Sequence, residues 1–200
     1  MSAGECNDFG KASSFDDLPI VFFSGDPISE LVRMNNMRIG IFADAHDHLD
    51  NLRRAVALFN VKKCDLVVFA GDLVSTISVP PLRKLNCPLL GCFGDNEGNR
   101  TGIHNGMSII GILGDPPLGI RTQDGRRILV THQWNQVRNQ LEDCEVVIYG
   151  HTHRASIGRD ERGRLMINPG ETGGWTYGKP SVAILETDPL EAQLLFLDDW

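Results

Sequence analysis

Five apolar runs in this chain stop at a small residue or at glycine and are followed at once by aspartate or histidine. In chain order they read IFADAH, VVFAGD, CFGD, ILVTH and VIYGHTH. Such runs predict buried strands, and the carboxyl ends of strands in α/β sheets border the ligand crevice. The polar residues at these five ends are therefore expected to meet at one place. They are Asp44, His46, Asp72, Asp95, His132, His151 and His153.

The first half of the chain alternates between strand and helix patterns. A strand at 37–43, a helix over DNLRRAVALFN and a strand at 65–70 predict a βαβ unit, because the apolar residues of the middle segment recur at helical spacing. A second helix from Pro80 to Leu85 and a buried strand at 88–93 follow. The first half is therefore of the α/β class.

The second half is richer in strands. Its patterns predict strands at 107–113, 126–131 and 146–149, one helix near 134–142, and two hairpins, in which ASIG pairs with RLMIN and SVAILE pairs with AQLLFL. The expected architecture is an α/β fold in which two packed sheets are flanked by helices.

The length of 200 residues suits one domain. Residues 37–200 are interpreted as that domain. Residues 1–36 have mixed polarity, and they are interpreted as an N-terminal extension that is either disordered or an artefact of the assigned start, since Met37 opens the first strand.

Composition narrows the class of protein. A net charge of -7 argues against nucleic acid as a partner, other than a small nucleotide substrate. The five cysteines form no CxxC pair, which favours a reducing cytoplasm over a disulfide framework. No apolar run is long enough to span a bilayer, so no membrane association is expected. The sequence leaves open whether the chain forms a homo-oligomer.

The seven polar residues suggest a metal site. Side chains two residues apart on an extended segment point the same way, so the Asp44 and His46 pair and the His151 and His153 pair are each expected to face one cavity. Glycine precedes Asp72, Asp95 and His151, where it permits a sharp turn or a close backbone approach. Three carboxylates and four imidazoles exceed one tetrahedral site and suit two borderline divalent ions.

The ordered set D-x-H, GD, GD-N-E, H and GHTH resembles the calcineurin-like metallophosphoesterase superfamily, and within it the small prokaryotic phosphodiesterases. The resemblance covers about residues 37–198 and implies an αββα sandwich with two mixed sheets. It implies one metal ion on Asp44, His46 and His153, a second on Asp95, His132 and His151, and Asp72 between them. The implied chemistry is hydrolysis of a small phosphodiester by a hydroxide activated at two divalent ions, with Mn²⁺ expected first and Ni²⁺, Co²⁺, Fe²⁺, Zn²⁺ or Mg²⁺ as substitutes.

This chain departs from the family pattern at two neighbouring positions. Asp95 stands where the family usually has Asn, which replaces a neutral oxygen ligand with a charged one. Asn96 stands where phosphomonoesterase-like members often have His, and an amide cannot protonate a leaving group. A diester is therefore favoured over a monoester. Asp72, Asn96 and His151 are the residues expected to act in catalysis, and Asn96 and Arg154 those expected to contact the substrate.

Two other functions stay open on the sequence. One is a noncatalytic scaffold, since the retromer subunit that resembles these enzymes uses the fold for protein contacts. The other is a phosphomonoesterase or nuclease that uses the same site. Retention of all seven ligand-type residues favours an enzyme over a scaffold.

Overall fold

The computed structural model describes Ser14, Phe15, Leu18 and residues 36–122, 125–138 and 143–200. Eleven strands in this part of the chain form two sheets. The six-stranded sheet has the order β11-β10-β1-β2-β3-β4, and the five-stranded sheet has the order β5-β6-β7-β9-β8. The strands are β1 Arg38–Phe42, β2 Leu66–Ala70, β3 Leu89–Cys92, β4 Gly111–Gly114, β5 Leu118–Arg121, β6 Arg127–Val130, β7 Val146–Ile148, β8 Ser156–Arg159, β9 Leu165–Asn168, β10 Ser181–Thr187 and β11 Leu190–Phe196.

Both sheets are mixed. Strands β1, β2, β3 and β4 run parallel, and β10 and β11 join them as an antiparallel hairpin. In the second sheet β6, β7 and β9 are parallel, whereas β5 and β8 are antiparallel edge strands. The parallel strands bring the ends of β1, β2 and β3 to one edge of the first sheet and the ends of β6 and β7 to one edge of the second.

Helices cover the outer face of the six-stranded sheet. They are α1 Leu49–Val61, α2 Val79–Leu82 and α3 Arg100–Met107, and α4 Trp134–Val137 lies on the other side of the molecule. His48 is the N-cap of α1, and its Nδ1 accepts a hydrogen bond from the Asn51 N–H at 3.3 Å. Its buried stripe includes Leu52 and Phe59, as the spacing predicts. Full burial of Phe59 contributes about 2 kcal/mol.

The apolar residues form three clusters that correspond to the layers. One lies between α1, α2 and α3 and the six-stranded sheet, and a second lies between the two sheets. The third covers the outer face of the five-stranded sheet, where Val137 of α4 packs with Phe15 and Leu18. Phe15 is only 1% exposed. Most of residues 1–36 lie outside the described residues, so the interpretation of that extension stays a prediction.

Several boundaries differ from the predicted ones. Residues 107–113 were expected to form a strand, but 100–107 form α3 and the strand starts at Gly111. The Asn99 side chain caps α3 by accepting the Gly102 N–H at 2.9 Å. Helix α2 ends at Leu82 rather than Leu85, and β5 was not predicted. Helix α4 ends at Val137, and the rest of the helix expected near 134–142 falls partly on residues 139–142, outside the described residues.

The two hairpins are confirmed, as β8 pairs with β9 and β10 with β11. The four cysteines that the structure describes are free thiols. Among the described residues, no helix has both the length and the apolar character needed to cross a membrane.

Candidate metal centre

The seven polar side chains at the strand ends lie together, and six of them form two groups of three. One group contains Asp44, His46 and His153, and the other contains Asp95, His132 and His151. Within each group, one nitrogen or oxygen atom from every residue lies within 4.8 Å of the others. The first group joins the end of β1 to the loop after β7, and the second joins the ends of β3, β6 and β7.

Asp72 lies between the two groups. Its Oδ2 is 3.4 Å from Nε2 of His46 and also 3.4 Å from Nε2 of His132. Asp72 is 1% exposed, and its Oδ1 accepts the backbone N–H groups of Asp95 and Asn96 at 3.0 Å each. The carboxylate is thus held rigidly, with one oxygen facing both groups.

At five of the seven site residues the backbone is left-handed rather than extended. The φ angles are 51° at Asp44, 42° at His46, 67° at Asp72, 69° at His151 and 60° at His153. The paired side chains do converge, but the predicted cause, alternation along an extended segment, is wrong. Non-glycine residues in this region cost about 1–3 kcal/mol each and cluster at functional sites, where the surrounding structure holds them.

The three glycines before Asp72, Asp95 and His151 permit close packing around the groups. Gly71 has a φ of 96°. Gly94 and Gly150 have ordinary φ angles, but a Cβ on Gly94 would overlap the Asp72 carboxylate, and one on Gly150 would lie 3.0 Å from Oδ2 of Asp44. At Gly94 and Gly150 the expected close approach is therefore to neighbouring carboxylates.

Hydrogen bonds fix the orientation of two of the imidazoles. Nδ1 of His132 lies 2.8 Å from the Ala70 carbonyl oxygen, and Nδ1 of His153 lies 2.9 Å from Oε2 of Glu171. A carbonyl or carboxylate oxygen only accepts, so each Nδ1 carries the proton. Each Nε2 therefore faces the site, and an ion that displaces its proton would bind there. Metal-binding histidines are usually oriented in this way by an acceptor at the other ring nitrogen.

Two glutamates contribute to the site although sequence reasoning gave them no role. Glu171 accepts hydrogen bonds from the backbone N–H groups of Thr176 and Tyr177 in addition to that from His153. Glu97 accepts from the N–H groups of Asp72, Leu73 and Gly94, and so ties two of the site loops together. Both lie inside recognisable motifs, GDNE and INPGE, but the residue types alone do not reveal these contacts.

The charges in the site perturb one another. Burial raises the pKa of Asp44 to about 7. Burial alone would also raise the pKa of Asp72, but hydrogen bonds from His132 and Asn96 outweigh it and hold that pKa well below its usual range. Burial opposes protonation of His132, yet Asp72 raises its pKa to about 9. Burial lowers the pKa of His46.

The chemistry of this donor set fits two divalent cations. Three carboxylates and four imidazoles converge, and at His132 and His153 the atom that faces the site is Nε2, because each Nδ1 is held by an oxygen acceptor. Nitrogen and oxygen donors together suit borderline ions such as Mn²⁺, Fe²⁺, Co²⁺, Ni²⁺ and Zn²⁺. Asp44 and Asp72 are buried carboxylates, and a positive charge beside them offsets the cost of that burial.

Asn96 and Gln133 lie beside the second group, and each donates a hydrogen bond to a carboxylate of the site. Nδ2 of Asn96 donates to Oδ2 of Asp72 at 2.7 Å, and Nε2 of Gln133 donates to Oδ2 of Asp95 at 3.1 Å. Asn96 has a second N–H that this bond does not use. The exposed Arg154 follows His153, and its Nε donates to the Tyr177 hydroxyl at 2.9 Å.

Several other polar and aromatic residues near these loops have structural contacts. Arg100 pairs with Asp115. His104 is an exposed residue of α3, and His48 is the N-cap of α1. The Trp175 indole donates to the His46 carbonyl at 3.0 Å and so fixes the loop after β1.

An αββα sandwich with aspartate and histidine at the carboxyl ends of its strands defines the class of calcineurin-like phosphoesterases. The family model for the calcineurin-like phosphoesterase superfamily domain matches residues 37–189, and the chain belongs to this superfamily. The fold class and the family resemblance that the sequence indicated are both confirmed.

Known proteins of this class resemble the chain over most of its length. Phosphodiesterase MJ0936 of Methanocaldococcus jannaschii is 32% identical over 170 residues, which cover 81% of this chain and 100% of that protein. The structure of an archaeal phosphodiesterase has a TM-score of 0.72 and 31% identity, and the match covers 80% of this chain and 99% of that one.

More distant structures share the fold. Yfce, a phosphoesterase from E. coli, has a TM-score of 0.66 and 18% identity, and the match covers 82% of this chain and 94% of that one. Vps29 from Entamoeba histolytica, in complex with zinc, has a TM-score of 0.52 and 17% identity over 80% of this chain and 99% of that one.

Proposed function

We propose that this protein is a metal-dependent phosphodiesterase with a dinuclear centre. One ion binds Asp44, His46 and His153, the other binds Asp95, His132 and His151, and Asp72 contributes to both. The observation that carries the proposal is the position of Asp72, whose Oδ2 is equally distant from a histidine of each group. A shared carboxylate between two three-residue groups is what two neighbouring ions require.

The reaction class follows from the family and its relatives. The resemblance to phosphodiesterase MJ0936 at 32% identity supports a diester as substrate. The mixed donor set supports borderline divalent ions, with Mn²⁺ first and Ni²⁺, Co²⁺, Fe²⁺, Zn²⁺ or Mg²⁺ as substitutes. The cytoplasmic location stays a prediction.

Divalent ions at such a centre supply an activated water and neutralise charge on the phosphoryl oxygens. The oxygen of water joins phosphorus, one P–O ester bond breaks, and the released alcohol takes up a proton. Asp72 would fix the spacing of the two groups, and His151 would act in catalysis as a member of the second group. The free N–H of Asn96 and the guanidinium of Arg154 donate to phosphoryl oxygens and orient them.

The absence of an acidic group at Asn96 sets the preference for substrates. A carboxamide does not give up a proton, so the leaving alcohol receives no help from that position. Substrates whose leaving groups are stable as anions are therefore hydrolysed best. An aryl diester meets this requirement and avoids the two negative charges of a monoester.

Restoring ions to metal-stripped protein tests the proposal. We expect bis(p-nitrophenyl) phosphate to be hydrolysed only when a divalent ion is returned, with Mn²⁺ most effective, because the ions would supply the activated water. The measurement is p-nitrophenolate release with Mn²⁺, Ni²⁺, Co²⁺, Zn²⁺ or Mg²⁺ added singly, with p-nitrophenyl phosphate as the monoester control.

Each outcome of this assay selects one function. Metal-dependent turnover of the diester above that of the monoester supports the phosphodiesterase. Faster turnover of the monoester would replace it with a phosphomonoesterase. No turnover with any ion would favour a noncatalytic scaffold on the same fold, the role considered from the sequence.

Replacing Glu171 with Gln tests how the first ion is held. Burial alone would raise the pKa of Glu171, but hydrogen bonds from His153 and from the loop at 176–177 hold it below the usual range, so the group is a carboxylate. A neutral amide is a weaker acceptor for Nδ1–H of His153 and makes Nε2 less basic. We expect Glu171→Gln to lower Mn²⁺ affinity by about 10- to 100-fold, measured by isothermal titration calorimetry.

The matched variant is Glu186→Gln. Glu186 also forms a charge-assisted hydrogen bond, with Arg38 at 2.6 Å, but it lies on β10 away from the two groups. Its Mn²⁺ affinity should equal that of the unmodified protein. Equal Mn²⁺ affinities for Glu171→Gln and Glu186→Gln would show that the hydrogen bond from His153 to Glu171 does not strengthen binding of the ion.

A further inference from the structure

A cleft opens beside the first metal group. It has a volume of about 430 Å³, and its walls include His153, Arg154, Tyr177, Lys179 and Phe196. His153 belongs both to this cleft and to the group with Asp44 and His46. A phosphate held at the two groups therefore has the cleft next to it, within reach of one of its two ester arms.

The cleft is cationic although the chain as a whole is acidic. Arg154 and Lys179 are both exposed, and neither forms an ion pair with any carboxylate among the described residues. The residues that line the cleft include no Asp or Glu. Two uncompensated positive charges in a chain with a net charge of -7 create a local preference for an anion.

The same cleft presents aromatic surface. Phe196, at the end of β11, is 40% exposed, and Tyr177 is 47% exposed. Tyr177 is fixed in place because its hydroxyl accepts from Arg154 and its backbone N–H donates to Glu171. The Arg154 guanidinium lies 5.5 Å from the centroid of the Tyr177 ring, on one side of it. The other side of that ring and the exposed Phe196 ring are flat surfaces of the kind on which a nucleobase stacks.

A second cleft on the other side of the site has a different character. It measures about 260 Å³ and is lined by His151 and by neutral residues that include Gln133, Trp134 and Tyr149. No Lys or Arg is among its lining residues. The two arms of a diester therefore meet unlike surroundings, and an arm that carries negative charge is directed to the larger cleft.

We infer that the substrate is a diester with one nucleotide arm, in which a nucleobase stacks on Tyr177 or Phe196 and a second phosphate binds Lys179. This inference rests on the proposed phosphodiesterase function and assigns its substrate class. The volume of the larger cleft lies within the range of pockets that hold such ligands. Arg154, next to His153, binds the phosphate that reacts, and Lys179 binds the second phosphate.

The test compares two substrates that differ by one phosphate. They are the p-nitrophenyl ester of thymidine 5′-phosphate and the same ester with a further phosphate on the 3′ hydroxyl. With the ion that best supports turnover, we expect kcat/KM to be about tenfold higher for the phosphorylated ester, as one charge-assisted contact provides. Lys179→Ala should bring the ratio close to one, and Lys179→Glu should bring it below one.

Lys84→Ala is the matched control. Lys84 is also an exposed lysine, but it lies after α2, away from both clefts, and the ratio should keep its original value. Equal kcat/KM for the two esters, or a preference that survives Lys179→Ala, would overturn the inference. Turnover of bis(p-nitrophenyl) phosphate by the unmodified protein separates this result from failure of the proposed function, which abolishes hydrolysis of every diester.

Discussion

Asp72→Asn is expected to lower kcat for bis(p-nitrophenyl) phosphate by about 10³-fold, the upper end of what loss of one electrostatic group in an active site costs. Asp72 is the residue that both metal groups share in our proposal, with Oδ2 at 3.4 Å from His46 and from His132. An amide carries no negative charge. The spacing of the two ions and the charge that holds them together would be lost at once.

The amide also disturbs the hydrogen bonds of this position. Oδ1 accepts from the backbone of Asp95 and Asn96, and Oδ2 accepts from the Asn96 side chain, so either orientation of the amide sets its NH₂ against a donor. We expect the fold to be retained, with the free energy of unfolding reduced by about 1–3 kcal/mol. Urea unfolding of the metal-free variant measures this loss separately from kcat.

Asp160→Asn serves as the matched substitution. Its Oδ1 also accepts two backbone N–H groups, from Arg162 and Arg164, but it lies in the β8–β9 turn, outside the seven-residue site. Its stability should fall by a similar amount while kcat stays unchanged. If Asp72→Asn keeps more than about a tenth of the original kcat, Asp72 does not connect the two ions.

The architecture could be predicted because its signals are local and strong. Each central strand is a continuous apolar run, and residues such as Val68 and Ile148 are fully buried between the sheets. The final hairpin was predicted from two apolar runs on either side of Asp188 and Pro189, and β10 and β11 pair as expected.

The errors occur where tertiary contacts decide the structure. Residues 107–113 read as one apolar strand, but α3 extends to Met107, which is buried against the helical layer. The strand then begins at Gly111, where a Cβ would overlap the Leu89 carbonyl of β3. Strand β5 is a short edge strand whose sequence, LGIR, carries too weak a pattern to be recognised.

The sequence was sufficient to predict that these seven residues meet, and the structure brings them together. The way in which they meet could not be predicted. Residue types and their places after strands are visible in the chain. The positive φ angles at Asp44 and His151, and the bonds that fix His132 and His153, depend on residues far away in sequence. Glu171 and Glu97 were overlooked for the same reason.

Gly94→Ala is expected to damage both stability and catalysis. A Cβ at this position would overlap the Asp72 carboxylate and lie 2.6 Å from the Asp72 backbone nitrogen, which cannot move without shifting the loop after β2. We expect the free energy of unfolding to fall by about 3 kcal/mol, a typical cost of overpacking. We expect kcat to fall by about 10²-fold because Asp72 is displaced from between the two groups.

Gly158→Ala provides the comparison, since a Cβ there meets no atom within 4 Å and the φ angle is not positive. That variant should be as stable as the original or more stable by up to about 1 kcal/mol, because alanine restricts the unfolded chain. Thermal unfolding and diester hydrolysis, measured on both variants, separate the two effects. A Gly94→Ala protein with unchanged stability and unchanged kcat would contradict this prediction. It would mean that the loop after β3 relaxes freely and that close packing against Gly94 does not set the position of Asp72.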